Sequence, residues 1–204
     1  MPITTLIFDW GGVLIDDPAP LLLSVFSRTL GVPPDDFTAV LKRHAEPFQK
    51  GLCAESDFWQ AICADLKIPP PTMPSFWGST FRAIYLPKKE IWSLAHSLRQ
   101  AGYKTALLSN TELPGVEYFR ACQPHCFDAL IFSCCEHCRK PERRIYELAI
   151  KKLHSRPDQT LFIDDNEHYV QGARDAGLHA LRFKSPRALM NDLRGKGILP
   201  VRSV

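Results

Sequence analysis

Apolar and polar positions along this chain fall into two regimes, one strand-like and one helical. Leu6-Ile7-Phe8 is a short apolar run that breaks at Asp9 and is followed by Gly11-Gly12. A run of that length bounded by turn residues reads as a buried strand. An ionised carboxylate at its end is too costly to leave unpaired in a core. Asp9 is therefore expected to leave the carboxyl end of the strand and face a site, since ligands bind at that edge in open α/β sheets. The two glycines permit the tight turn and the close backbone approach that an oxyanion or a cation requires.

From Asp16-Asp17-Pro18 to about Leu86 the spacing is helical. Leu21, Leu22, Val25, Phe26 and Leu30 recur at helical intervals and stop at Gly31-Val32-Pro33-Pro34. Asp35-Asp36 suit a helix N-terminus and lead into Phe37, Val40 and Leu41. A third helix is predicted from Glu55 to Leu66, closed by the prolines at 69–71 and 74, and a short one holds Phe76, Trp77, Phe81 and Ile84. The aromatics of this block are expected mainly in packing. Among them, Phe48, Trp59 and Trp77, with His44, are the candidates for a pocket wall.

After Pro87 helix and strand alternate, the pattern of a parallel sheet. A helix from Lys88 to Gln100 stops at Gly102. Strands follow at Thr105–Leu108, Phe127–Phe132, Thr160–Ile163 and Leu178–Phe183, with helices through Ile145, Leu148 and Ala149 and through Val170 and Ala173. The expected fold is α/β: a Rossmann-like parallel sheet with helices on both faces and an inserted α-helical cap. Residues 1–16 and 87–204 form the core and 17–86 the cap, with hinges near Asp16–Pro18 and Leu86–Pro87.

Charge narrows the function classes. Lys and Arg number 25 against 22 Asp and Glu, a net charge of +3, and they are spread along the chain. No basic stripe points to nucleic acid. The apolar N-terminal run is interrupted at Asp9 and lacks a basic leader, so neither a signal peptide nor a membrane span is expected, and the expected compartment is the cytoplasm. Seven cysteines, an odd number, argue for reduced thiols. Cys122, Cys126, Cys134, Cys135 and Cys138 share one segment with His125 and His137. A structural zinc site is the functional alternative there. The strand-like run between the two groups and the lack of a repeated C-x-x-C pair favour free thiols.

Four strand ends carry residues that phosphate chemistry uses: Asp9, then Ser109-Asn110, then Lys140 just beyond the third strand, then Asp164-Asp165. Right-handed crossovers place all those ends on one edge of a parallel sheet. Singly each has an ordinary reading, such as a helix cap for Ser109 or a surface lysine before Pro141 for Lys140. The ordered set is more specific than its parts.

That set resembles the haloacid dehalogenase superfamily across nearly the whole chain. It is carried by Phe8-Asp9-Trp10-Gly11-Gly12-Val13, Leu108-Ser109-Asn110, Arg139-Lys140-Pro141 and Phe162-Ile163-Asp164-Asp165-Asn166, with Gly172-Ala173 and Gly177 also fitting. The wording of these segments is similar to bacterial phosphatases of the glucose 1-phosphate type. The resemblance implies a phosphatase acting on a small phosphorylated metabolite, with Asp9 as nucleophile forming an aspartyl-phosphate. It implies Mg2+ held by Asp9, the Gly11 carbonyl and Asp165, with Asp164 bound directly or through water. Ser109 and Asn110 would donate to the phosphoryl oxygens, and Lys140 would neutralise the transferring group.

Gly11 departs from the pattern. Most phosphatases of the superfamily have a second Asp there as general acid and base, a role typically worth on the order of a hundred- to ten-thousand-fold. The glucose 1-phosphate phosphatases share the glycine, and an anomeric leaving group needs less protonation, so sugar 1-phosphates are favoured. Two alternatives stand beside this. One is a phosphonoacetaldehyde hydrolase or dehalogenase-like reaction, the former needing a Schiff-base lysine such as Lys42 or Lys50. The other is a non-catalytic binding module.

Overall fold

The computed structural model describes residues 2–122 and 127–199. Strands β1 (Thr5–Phe8), β2 (Lys104–Ser109), β3 (Ala129–Phe132), β4 (Thr160–Asp164) and β5 (His179–Arg182) form one sheet in the order β3-β2-β1-β4-β5. Every neighbouring pair is parallel. Leu6, Ile7 and Phe8 are fully buried, and a strand covered on both faces reads as a continuous apolar run rather than an alternating one. Phe8 lies beside Leu107 and Ile163, so Asp9, Ser109 and Asp164 emerge near one another at the carboxyl edge. The chain moves outward from β1 through β2 to β3 and then returns to the other side of β1 at β4. This reversal is the place where a ligand crevice opens in such sheets.

Period-two alternation divides the core. Leu6, Phe8, Leu107, Leu161 and Ile163 belong to one apolar cluster, while Ile7, Ala106, Leu108 and Phe162 belong to the other. Four helices lie between β1 and the next core helix: α1 (Ala19–Leu30), α2 (Pro34–Gln49), α3 (Glu55–Leu66) and α4 (Phe76–Ile84). The core helices are α5 (Lys89–Gln100), α6 (Leu113–Cys122), the single turn α7 (Ser133–Glu136), α8 (Arg143–Lys152), α9 (Glu167–Asp175) and α10 (Pro186–Gly195). Helix α5 contributes Ile91, Leu94, Ala95 and Leu98 to the first cluster, and α8 contributes Ile145, Tyr146 and Ala149 to the second.

The insert is held by aromatic packing. Phe48 stacks on Phe58 at 4.1 Å, and Phe26 meets Trp59 edge-on at 4.9 Å. Glu55 gathers three donors: the Trp59 indole, the Ser75 hydroxyl and the Trp77 backbone amide, at 3.1, 2.6 and 2.6 Å. The two connections to the core run side by side. Asp16 N donates to Leu86 O and Lys88 N to Leu14 O, both at 2.9 Å, at the positions expected to hinge.

Three differences from the expected elements have local causes. Strand β3 begins at Ala129, not Phe127, because Asp128 turns its carboxylate onto Thr105 N at 2.9 Å and Arg99 Nε at 2.8 Å. Helices α6 and α10 each carry a proline in the first turn, Pro114 and Pro186, which reads as a breaker in the sequence, and α7 is one turn only. Among the described residues no helix is long and apolar enough to cross a membrane.

Candidate active site

Lys140 is the hub of the strand edge. It is 1% exposed, and its Nζ lies 2.7 Å from Asp9 Oδ1 and 2.5 Å from Asp164 Oδ2. The rings of Tyr169 and Phe162 flank the ammonium at 5.0 and 5.5 Å. Asn110 fixes the backbone that carries it: Lys140 N donates to Asn110 Oδ1 at 2.8 Å, and Asn110 Nδ2 donates to Lys140 O at 3.0 Å. The Asn110 carboxamide therefore ties the end of β2 to the Lys140 loop, a positioning role that its sequence context did not suggest. Ser109 and Asn110 both border the cavity that opens above Asp9.

The two acids at the end of β4 differ. Asp164 has no exposure, and both its oxygens are engaged, Oδ2 by Lys140 and Oδ1 by the Asn166 amide at 2.8 Å. Asp165 is partly exposed and borders the cavity. Gly12 makes room for it: a Cβ there would lie 2.3 Å from Asp165 Oδ2, and φ is +80°. Only glycine fits at low strain.

Three carboxylates face one ammonium here, and the imbalance is visible in their acidities. Burial, then the Asp164 charge, push Asp9 up to about 8 in spite of Lys140. Burial and Asp164 also raise Asp165. Burial alone would lower Lys140, but the charges of Asp164 and Asp9 outweigh it and hold it above its usual range. One oxygen each of Asp9, Asp164 and Asp165 lie within 4.8 Å of one another. A cluster of carboxylate oxygens with surplus negative charge fits a hard divalent cation such as Mg2+. Gly11 borders the same cavity.

The cavity has a volume of about 360 Å3 and reaches from this edge to the insert. Its far wall is built from helical stripes: Leu41, Ala45 and Gln49 at four-residue spacing on α2, Trp77 and Phe81 likewise on α4. Of the insert's candidate pocket residues, Trp77 lines it. His44 pairs with Asp65 at 2.9 Å, while Phe48 and Trp59 are packed among rings. Lys50 is paired with Glu46 and Glu142 at 2.7 and 3.0 Å. Neither Lys42 nor Lys50 borders the cavity, which leaves the Schiff-base reading without its lysine.

Glu112 is a residue the sequence reading missed. It is 6% exposed, it lines the cavity, and burial pushes its pKa up to about 7. Its own backbone amide, Gln49, Arg139 and Trp77 pull the other way. Its place three residues beyond Ser109 was the available signal. The cysteine segment forms no comparable group among the described residues: the acids at 9, 164 and 165 are the metal-suited cluster there, and Cys126 and His125 lie outside the described residues.

This chain belongs to the haloacid dehalogenase-like hydrolases, whose family model matches residues 3–177. It is an enzyme of the hydrolase class with that family's α/β fold. It is similar to acyl-CoA dehydrogenase family member 10 of Mus musculus, 25% identical over 92% of this chain but spanning 18% of that relative's length. It is 24% identical to the sesquiterpene phosphatase astK of Aspergillus oryzae, over 92% of this chain and 93% of that one. A HAD family enzyme from Bacteroides thetaiotaomicron, solved in complex with magnesium and inorganic phosphate, shares the fold with a TM-score of 0.74 at 22% identity, covering 89% of this chain and 94% of that one.

Proposed function

We propose that this hydrolase is a Mg2+-dependent phosphatase of small phosphorylated metabolites, with residues 17–86 acting as a cap over a core of 1–16 and 87–204. The observation that carries the reading is Asp9 at a strand end, 2.7 Å from the buried Lys140 and clustered with Asp164 and Asp165. A pure binding scaffold has no need of a nucleophile, an ammonium and a surplus of acid at one edge. The magnesium and phosphate bound by the Bacteroides enzyme, and the phosphatase activity named for the Aspergillus relative, support the same direction.

An oxygen of the Asp9 carboxylate attacks phosphorus as the bond from phosphorus to the leaving oxygen breaks. Water then attacks phosphorus, the bond to Asp9 breaks, and inorganic phosphate departs. Lys140 holds Asp9 in place and offsets charge on the transferring group, and Ser109 and Asn110 border the space that the phosphoryl oxygens occupy. Asp9, Asp165 and the Gly11 carbonyl would hold Mg2+, with Asp164 directly or through water, and the cation would draw charge from the phosphoryl oxygens.

Gly11 offers no proton to the leaving oxygen. The substrate is therefore an ester whose leaving group departs with little protonation: a sugar 1-phosphate, as the sequence resemblance favours, or an aryl or acyl phosphate. The test is steady-state hydrolysis of an aryl phosphate and of glucose 1-phosphate, with and without magnesium, by wild type and Asp9→Asn. Magnesium-dependent turnover that the substitution abolishes is expected. Equal rates on simple alkyl phosphates would refute the leaving-group argument, and no turnover on any ester would refute the phosphatase.

A further inference from the structure

The cavity joins two surfaces of different chemistry. Away from the sheet edge its lining comes from the insert and the segment leading into it: Pro18, Leu23, Leu41 and Ala45 keep accessible surface, and Phe26 and Phe81 are buried rings of the same wall. The polar residues on this side do not offer their groups to it. Thr111 and Glu112 are 5% and 6% exposed. Gln49 and Trp77 are hydrogen-bond partners of Glu112, and the Gln49 Oε1 and Trp77 Nε1 atoms are buried. The charge of Asp17 acts on Asp165, which places it with the sheet edge.

Charge is just as one-sided. Among the described residues lining the cavity the single cation is Lys140, which is 1% exposed and already shared by Asp9 and Asp164. A second anionic group on a substrate, a carboxylate or another phosphate, would leave water for a wall with no countercharge. The hydroxyls around a sugar ring would each lose water without gaining a partner. An alkyl or aryl group meets neither cost and gains by leaving water.

We infer that the preferred substrate is the phosphate monoester of an uncharged, apolar group, which lies against Leu23, Leu41 and Ala45 while its phosphoryl group lies at Asp9. This rests on the phosphatase reading and narrows it: among phosphates with good leaving groups, aryl phosphates carrying alkyl substituents outrank sugar 1-phosphates. The cavity of about 360 Å3 limits how long the apolar group can be. Leu41 and Ala45 stand four residues apart on α2 and both line the cavity, so bulk added at 45 shortens the space available.

The test uses para-alkylphenyl phosphates of increasing chain length, which hold leaving-group acidity nearly constant, each beside ω-hydroxyalkyl and ω-carboxyalkyl compounds of the same length. The matching phosphonates, which are not hydrolysed, are titrated calorimetrically with magnesium present. Both kcat/KM and phosphonate affinity are expected to rise about three- to fourfold per methylene until the cavity is full. Below that break the hydroxyl compound is expected to be about tenfold weaker than its alkyl partner, and the carboxylate weaker still. Ala45→Leu is expected to move the break to shorter chains and Leu23→Ala to longer ones. Glucose 1-phosphate is expected to compete only weakly with the best alkyl compound. The inference is overturned if affinity is flat with chain length, if the hydroxyl or carboxyl compounds or glucose 1-phosphate bind as well as the alkyl ones, or if neither substitution moves the break. Phosphonate binding reads the preference without turnover. Absence of hydrolysis therefore refutes the phosphatase alone, whereas a flat phosphonate series with hydrolysis intact refutes the inference alone.

Discussion

The two ends of one cavity obey opposite rules. At the sheet edge the fully buried charges are met: Lys140 is shared by Asp9 and Asp164, the second oxygen of Asp164 takes the Asn166 backbone amide, and Asn110 holds the Lys140 backbone. At the insert wall polar atoms are few, and Gln49 and Trp77 are turned onto Glu112. The difference separates what a reaction shares across substrates from what distinguishes them. Chemistry at phosphorus needs pre-set charges that do not reorganise. Selection among organic groups is made by the shape and polarity of the wall they meet.

The comparison breaks most visibly at Lys140. Replacing it by Met leaves Asp9 and Asp164 buried without a countercharge, and about 3–5 kcal/mol of stability should be lost, together with a hundredfold or more in kcat. Urea unfolding and steady-state kinetics on the same preparation check both. A near-wild-type midpoint would mean that the edge is less tightly coupled than its distances imply.

Glu112 sharpens the contrast, because a carboxyl buried without a close ammonium should be a burden where one paired with Lys140 is a support. Its pKa is raised from 4.5 to about 7 on folding, so the folded state holds the proton longer than the unfolded one. Stability is then fully present below about pH 4.5 and declines as pH rises toward 7. Glu112→Gln removes that decline. The variant should gain on the order of 2–3 kcal/mol over wild type at pH 8 and nearly nothing at pH 4. Unfolding curves at the two pH values decide it, and an equal difference at both would show that Glu112 is not buried in the way described.

The smallest expected effect on stability is at Gly12. Alanine there meets a φ of +80° and an Asp165 oxygen 2.3 Å away. About 1–2 kcal/mol of backbone strain is expected, with a weaker magnesium requirement curve because Asp165 must move. A magnesium titration of activity that matches wild type would show that Asp165 is not needed as a ligand.

The residues that could be read directly were those tied to local rules. Asp9, Ser109, Lys140 and the pair at 164 and 165 follow apolar runs, and a polar residue that ends a buried strand announces its edge. Glu112 opens α6 beside Leu113, which is half exposed, so nothing local separates it from a solvated N-terminal acid. Trp77 was a candidate alongside Trp59 and Phe48, and helical spacing gave no means of choosing among them. Asn110 was legible as a site residue, but its grip on the Lys140 backbone depends on a contact between residues 30 apart in the chain.

The sequence by itself determined the strands, the helical insert and the carboxyl edge on which the reactive groups gather, because apolar period and turn chemistry act over a few residues at a time. Only the tertiary structure decided that Lys140 lies between two acids, that Asp164 is spent within the site while Asp165 is open to it, and that α2 and α4 seal Glu112 against an apolar wall. Burial and ion pairing are properties of surfaces brought together from distant segments, and no local pattern contains them.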